Sequence, residues 1–86
     1  HDHLRAAVET IAAYDRERGS QLVVTLDRYL SDGRNVARTS RELFIHVNTL
    51  RQRLERIEEL TGLVLAEEDL LALQLAVKLG QVRSGR

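Results

Sequence analysis

The sequence predicts an all-α domain of five helices organised around a helix-turn-helix. Three observations predict it. Apolar residues recur at helical spacing along most of the chain. The periodic segments are separated by short breaks, among them Gly19, Asp32-Gly33 and Thr61-Gly62, where glycine accepts a left-handed backbone. Two of the segments, Val36 to Leu43 and Val47 to about Leu60, stand too close together for anything but a sharp corner.

Composition agrees. Eighty-six residues make one small domain with one modest core. The absence of proline and the presence of only three aromatics point to helices packed through Leu, Val, Ile and Ala. Without cysteine there is no disulfide framework and no thiolate metal site. Charged residues make up 30 % at zero net charge, the balance of a folded, soluble domain.

The first helix is expected over about residues 1–18, with Leu4, Ala7, Val8, Ile11, Ala12 and Asp15 on one stripe. Residues 1–19 thus read as an N-terminal bracing helix. His1 and His3 form an H-x-H pair, but no third ligand is near and chain ends fray, so no metal site is assigned. The second helix is expected from Ser20, as its cap, to Ser31, turning Leu22, Val23, Leu26, Tyr29 and Leu30 inward. Tyr29 reads as a core residue with its hydroxyl at the surface.

The corner pair follows. Asn35 suits the N-cap of the third helix and His46 stands at the cap of the fourth. Leu50, Leu54, Ile57 and Leu60 form the inward stripe of the fourth helix, facing Val36, Ser40 and Leu43 of the third. Ile45 is placed to plug the gap between them. A plain helical hairpin in a bundle would show the same stripes, so the outward face must separate the readings. There the fourth helix carries Asn48, Gln52, Arg56 and Glu59, with Thr49, Arg51 and Glu55 at the margins. Asn and Gln pair bidentately with adenine, and Arg with guanine. Thr49 and Arg53 suit phosphate oxygens. From Arg34 to Arg56, six arginines stand against two glutamates, a local excess of four positive charges in a neutral chain. The candidate DNA-binding residues are therefore His46, Val47, Asn48, Thr49, Arg51, Gln52, Arg53 and Arg56, with Arg38 from the preceding helix.

These residues carry a family resemblance. Thr25-Leu26, Tyr29-Leu30, Gly33, Asn35, Thr39, Leu43, His46, Asn48-Thr49-Leu50, Arg53-Leu54, Ile57 and Thr61-Gly62 follow the pattern of the C-terminal helix-turn-helix domain of PucR/CdaR-type bacterial transcriptional regulators. Tyr14-Asp15 upstream and Leu73, Leu75 and Ala76 downstream also correspond, so the resemblance covers about residues 10–80. It implies a fold similar to Fis-like DNA-binding domains, double-stranded DNA as partner, and control by an N-terminal regulatory domain that lies outside this sequence. Three positions depart from the pattern. Ser40 stands for alanine, Val47 for a common arginine and Gln52 for a common tyrosine. The last two lie on the recognition helix and bear on the target sequence.

A final helix is expected over about residues 66–79, with Glu67, Glu68 and Asp69 in its first turn. Leu63 and Leu65 anchor the connection to it. Leu70, Leu73, Ala76 and Val77 make one apolar face, and Leu71, Leu75 and Leu79 a second, nearly opposite. So small a domain cannot bury both, so the second face is expected to meet an identical chain in a two-fold dimer or to dock on the regulatory domain. The helix-turn-helix domain is bounded at residues 20–80, and residues 81–86 read as a disordered tail.

Catalysis finds no support in a serine–histidine or carboxylate constellation or in a glycine-rich phosphate loop, so the chain reads as a non-enzyme without cofactor. No apolar run is long enough to span a bilayer, which, with DNA as partner, gives a cytoplasmic expectation. Two functions stay open: a sequence-specific DNA-binding module, and a helical dimerisation or partner-docking module without DNA affinity.

Overall fold

In a computed structural model, which describes residues 2–83, the chain forms five α-helices: α1 (Asp2–Arg18), α2 (Leu22–Ser31), α3 (Val36–Leu43), α4 (Val47–Thr61) and α5 (Leu70–Arg83). Helices α1, α2 and α5 pack on one another, and α4 lies across α1 and α2. Helix α3 touches only α2 and α4, so the α3–α4 pair forms one side of the domain.

One core joins them. Leu4, Val8 and Ile11 of α1 meet Leu22, Leu26 and Leu30 of α2, Ile57 of α4, Leu63 and Leu65 of the following connection, and Leu73 and Val77 of α5. The bracing helix is thus an integral wall of the core. Gly80 shows how closely α1 and α5 approach, since a β-carbon there would stand 2.8 Å from Val8 Cγ1. Tyr29 is buried as expected, and that burial raises the pKa of its phenol; nearby Arg34 opposes the rise and Glu58 adds to it.

Three boundaries differ from the sequence expectation. Helix α2 starts at Leu22 and takes its cap from another helix. The Asp15 carboxylate of α1 accepts the amides of Leu22 (2.8 Å) and Val23 (3.0 Å), and Ser20 donates its hydroxyl to the same group at 2.6 Å. A carboxylate with two oxygens satisfies more of the orphan amides than the Ser20 hydroxyl could.

Helix α5 starts at Leu70, four residues later than predicted. Residues 65–68 are held as a turn: Leu65 N–H donates to Glu58 Oε2 (2.8 Å), and Arg34 Nη1 donates to the carbonyls of Leu65 (3.0 Å) and Glu68 (2.9 Å). Carbonyls engaged by a guanidinium are not aligned along a helix axis. Asp69 then acts as the cap, accepting the Ala72 amide at 2.9 Å.

The tail is the third difference. Residues 81–83, expected to be disordered, continue α5, because Gln81 donates to Asp27 (3.4 Å) and Arg83 pairs with Glu9 (3.5 Å). Residues 84–86 of that expectation lie outside the described residues. The apolar second face of α5 is as expected in the single chain: Leu71 is 75 % exposed, Leu75 58 % and Leu79 44 %, and Val82 extends the stripe.

Candidate nucleic-acid interface

The corner is built from two capped helix ends. Asn35 Oδ1 accepts the Arg38 amide at 2.9 Å and opens α3. At the other end Phe44 N–H donates to Arg41 O (3.2 Å) and Ile45 N–H to Ser40 O (3.0 Å). This double bond pattern is a Schellman motif, with Phe44 in the left-handed region at φ 57. Ile45 is half-buried at the corner. His46 opens α4, its Nδ1 accepting the Asn48 amide at 3.0 Å. A ring nitrogen that accepts carries no proton, so in neutral His46 the proton sits on Nε2 and is free to be donated outward.

The wall between α3 and α4 contains Thr39, Ser40 and Leu50, all buried, Leu50 fully. Ser40 is small enough for close approach and satisfies its hydroxyl on Ala37 O at 2.9 Å. The Thr39 hydroxyl lies 2.8 Å from Asn35 O and 3.1 Å from Asp32 Oδ2, which ties α3 to the end of α2.

The outward face of α4 is open. Asn48, Arg51, Gln52, Glu55, Arg56 and Glu59 are exposed, and Val47 and Thr49 are half-buried at its edges. The face is graded along its length. Asn48, Arg51 and Gln52 occupy the first turn and a half, at the positive end of the helix dipole. Glu55, Arg56 and Glu59 follow from the middle of the helix onward, Arg56 paired with Glu59, which lies about 16 Å beyond Asn48 at 1.5 Å per residue.

The arginines divide by partner. Arg34 holds the connection before α5. Arg38 lies 3.4 Å from Glu42 and 3.6 Å from Asp32, and Arg56 lies 3.3 Å from Glu59. Arg53 is half-buried and donates through Nη1 to the Thr25 hydroxyl at 3.1 Å. In the single chain this guanidinium, expected among the outward phosphate contacts, is directed at least in part towards α2, because Arg53 borders the buried stripe of α4. Among the described residues, Arg41 and Arg51 alone of the six have no side-chain ion-pair or hydrogen-bond partner. The local charge excess counted along the chain therefore reduces to fewer free cations than its sum implies.

This corner, capped on both sides and followed by a longer helix with an open polar face, has the geometry of a helix-turn-helix. The family model for the PucR C-terminal helix-turn-helix domain matches residues 22–79, from the start of α2 to near the end of α5. The chain belongs to this PucR helix-turn-helix family. It is 40 % identical over 58 residues to the DNA-binding transcriptional activator AdeR of Bacillus subtilis (strain 168), covering 67 % of this chain and 14 % of that protein. It is 54 % identical over 46 residues to the carbohydrate diacid regulator of Escherichia coli (strain K12), covering 52 % of this chain and 12 % of that protein. The proline-responsive transcriptional activator PutR of Bacillus subtilis (strain 168) is 35 % identical over 57 residues, 66 % of this chain and 14 % of that protein. The chain thus spans about one seventh or less of the length of these relatives. No solved structure matches it.

In this PucR-type domain the matched range begins after α1, yet α1 supplies the cap of α2 and a wall of the core. Sequence reading passed over three residues that the fold brings to prominence. Along the chain Arg34 and Arg41 count only as charge, and Phe44 carries no expected role. The sole sequence signal for Phe44 is an aromatic at the position where a helix end favours glycine. Among the described residues no group of three potential ligands could hold a metal ion. His3 instead lies 3.7 Å from Glu68, and His1 is outside the described residues.

Proposed function

We propose that the chain is the sequence-specific, double-stranded-DNA-reading module of a bacterial transcriptional regulator, with α4 entering the major groove by its N-terminal half. The gradation of the α4 outer face carries this reading. Amide and guanidinium donors without a carboxylate among them fill the N-terminal half of that face, the half by which a recognition helix meets base edges, and the carboxylates come only farther along it, beside Arg56. Asn48, Arg51 and Gln52 are the base-reading candidates. His46 through Nε2, Thr49 and Arg41 suit phosphate oxygens, and Arg38 and Arg56 join them if their surface ion pairs open, which costs little. Val47 borders the same edge. The function is binding, without catalysis or cofactor.

The exposed stripe Leu71, Leu75 and Leu79 supports a two-fold dimer, which would set two recognition helices one helical turn of DNA apart, about 34 Å. The small share of its relatives that this chain spans supports a regulatory domain elsewhere in the protein, and a DNA partner supports a cytoplasmic location. No helix among the described residues is long and apolar enough to cross a membrane.

The test is selection of bound duplexes from a random DNA pool, followed by a salt titration on the selected duplex. Phosphate contacts make log K fall linearly with log salt. A flat salt response with no enriched sequence would sink the reading. It would favour the second one, a helical docking module built on the same α5 stripe.

A further inference from the structure

The residue that ends α3 is one that neither the backbone nor the core requires. Phe44 sits at φ 57 and ψ 41, where glycine is favoured and a bulky side chain is strained. Its ring is 94 % exposed, so packing does not offset the strain. A strained side chain with no partner in its own fold points to a partner outside it.

The surroundings tell which kind. The other exposed large hydrophobics are Val24, Val64, Leu71, Leu75, Leu79 and Val82, none of them on α3, the turn or α4. Phe44 is therefore the one large hydrophobic fully open to solvent on the helix-turn-helix, beside the half-buried Leu43, Ile45 and Val47, whereas a protein partner buries a broader apolar patch. Next to the half-buried Leu43 and Ile45 that flank it in sequence, two polar groups stand close along the chain. Arg41, three residues back, is exposed and unpaired among the described residues, and His46, two residues on, caps the helix that carries Asn48. An apolar ring flanked by cationic and amide donors matches the edge of a DNA groove, where phosphates border apolar carbon.

The geometry points to Phe44 as a further DNA contact, its ring resting on apolar carbon at the margin of the groove. That carbon is either a thymine 5-methyl group or the C–H face of a deoxyribose. The assignment rests on the DNA-binding reading above.

The experiment compares the unsubstituted protein, Phe44→Gly and Phe44→Tyr on a duplex selected by the unsubstituted protein, and on the same duplex with uracil in place of thymine. Glycine removes the ring and relieves the left-handed strain, so Phe44→Gly should melt no lower than the unsubstituted protein. It should bind the duplex roughly tenfold more weakly, with an unchanged slope of log K against log salt, because an apolar contact releases no counterion. Phe44→Tyr should stay within about twofold, since it keeps the ring. If the deficit of Phe44→Gly vanishes on the uracil duplex, the contact is the methyl group; if it persists, the contact is the sugar. Equal affinity of Phe44→Gly and the unsubstituted protein overturns the proposal. So does a Phe44→Gly variant whose only defect, by sedimentation, is in self-association, which would make the ring a protein contact. Failure of the unsubstituted protein to bind any duplex removes the DNA reading itself, and this proposal with it.

Discussion

Arg53, on the recognition helix, donates to the Thr25 hydroxyl of α2 at 3.1 Å, and that hydroxyl in turn lies 2.7 Å from the Gln21 carbonyl. Thr25 is fully buried, so the chain of bonds runs from the edge of α4 into the first turn of α2. The bond ties α4 to α2 alongside their packing.

Arg53→Ala and Thr25→Val should each lower stability by about 1–2 kcal/mol. Because they remove the same bond, a double-mutant cycle should return a coupling of roughly 0.5–1.5 kcal/mol. Urea unfolding checks both. The salt slope of DNA binding should be the same for Arg53→Ala as for the unsubstituted protein; a slope lower by about one would return Arg53 to the phosphate contacts.

Asn48 and Arg51 are exposed on the outer face, with no role in the core. Asn48→Ala and Arg51→Ala should each weaken specific binding by about 1–3 kcal/mol while leaving helicity unchanged by circular dichroism. Unaltered affinity in both would take these residues out of the site. Leu50→Asp is the contrasting control. It places an unpaired charge at a fully buried position and should unfold the domain.

The Asp15 carboxylate satisfies two amides of α2 and the Ser20 hydroxyl. Asp15→Ala should cost about 1–3 kcal/mol, towards the upper end for a cap because the acceptor is charged. Asp15→Asn keeps one acceptor oxygen and should fall between the two. Thermal unfolding that ranks the three proteins otherwise would show that the cap is replaceable by water.

Leu71 and Leu75 make no core contact in the single chain. Leu71→Asp with Leu75→Asp should therefore leave the helix content intact and abolish concentration-dependent association in sedimentation, weakening binding to a two-site operator more than to a half-site. A double variant that still self-associates places the dimer elsewhere.

Burial raises the Tyr29 phenol above its ordinary 10.0. In the unfolded chain the phenol loses its proton first, so between the two values the folded state binds more protons. This contribution is intact below about pH 10 and is lost as pH rises through the folded value. Urea unfolding across that alkaline range should show the loss, and Tyr29→Phe should remove that part of the pH dependence.

The helices, their inward stripes and both caps of the corner were legible in the sequence, because periodicity and capping are local properties set by residues within a turn or two of each other. Asn35, His46 and Gly62 take their positions from neighbours only two to four residues away. The open polar face of α4 followed for the same reason, since a helix with one buried stripe leaves the opposite side to solvent. What the tertiary structure alone decided are the long-range partners: Asp15 capping a helix across a turn, Arg34 holding carbonyls more than thirty residues on, and Arg53 turned to Thr25. Arg83 meeting Glu9 is of the same kind. A long side chain has many rotamers, and only the placement of a distant acceptor selects one. The charge summed along the chain therefore overstated what is free to meet a phosphate.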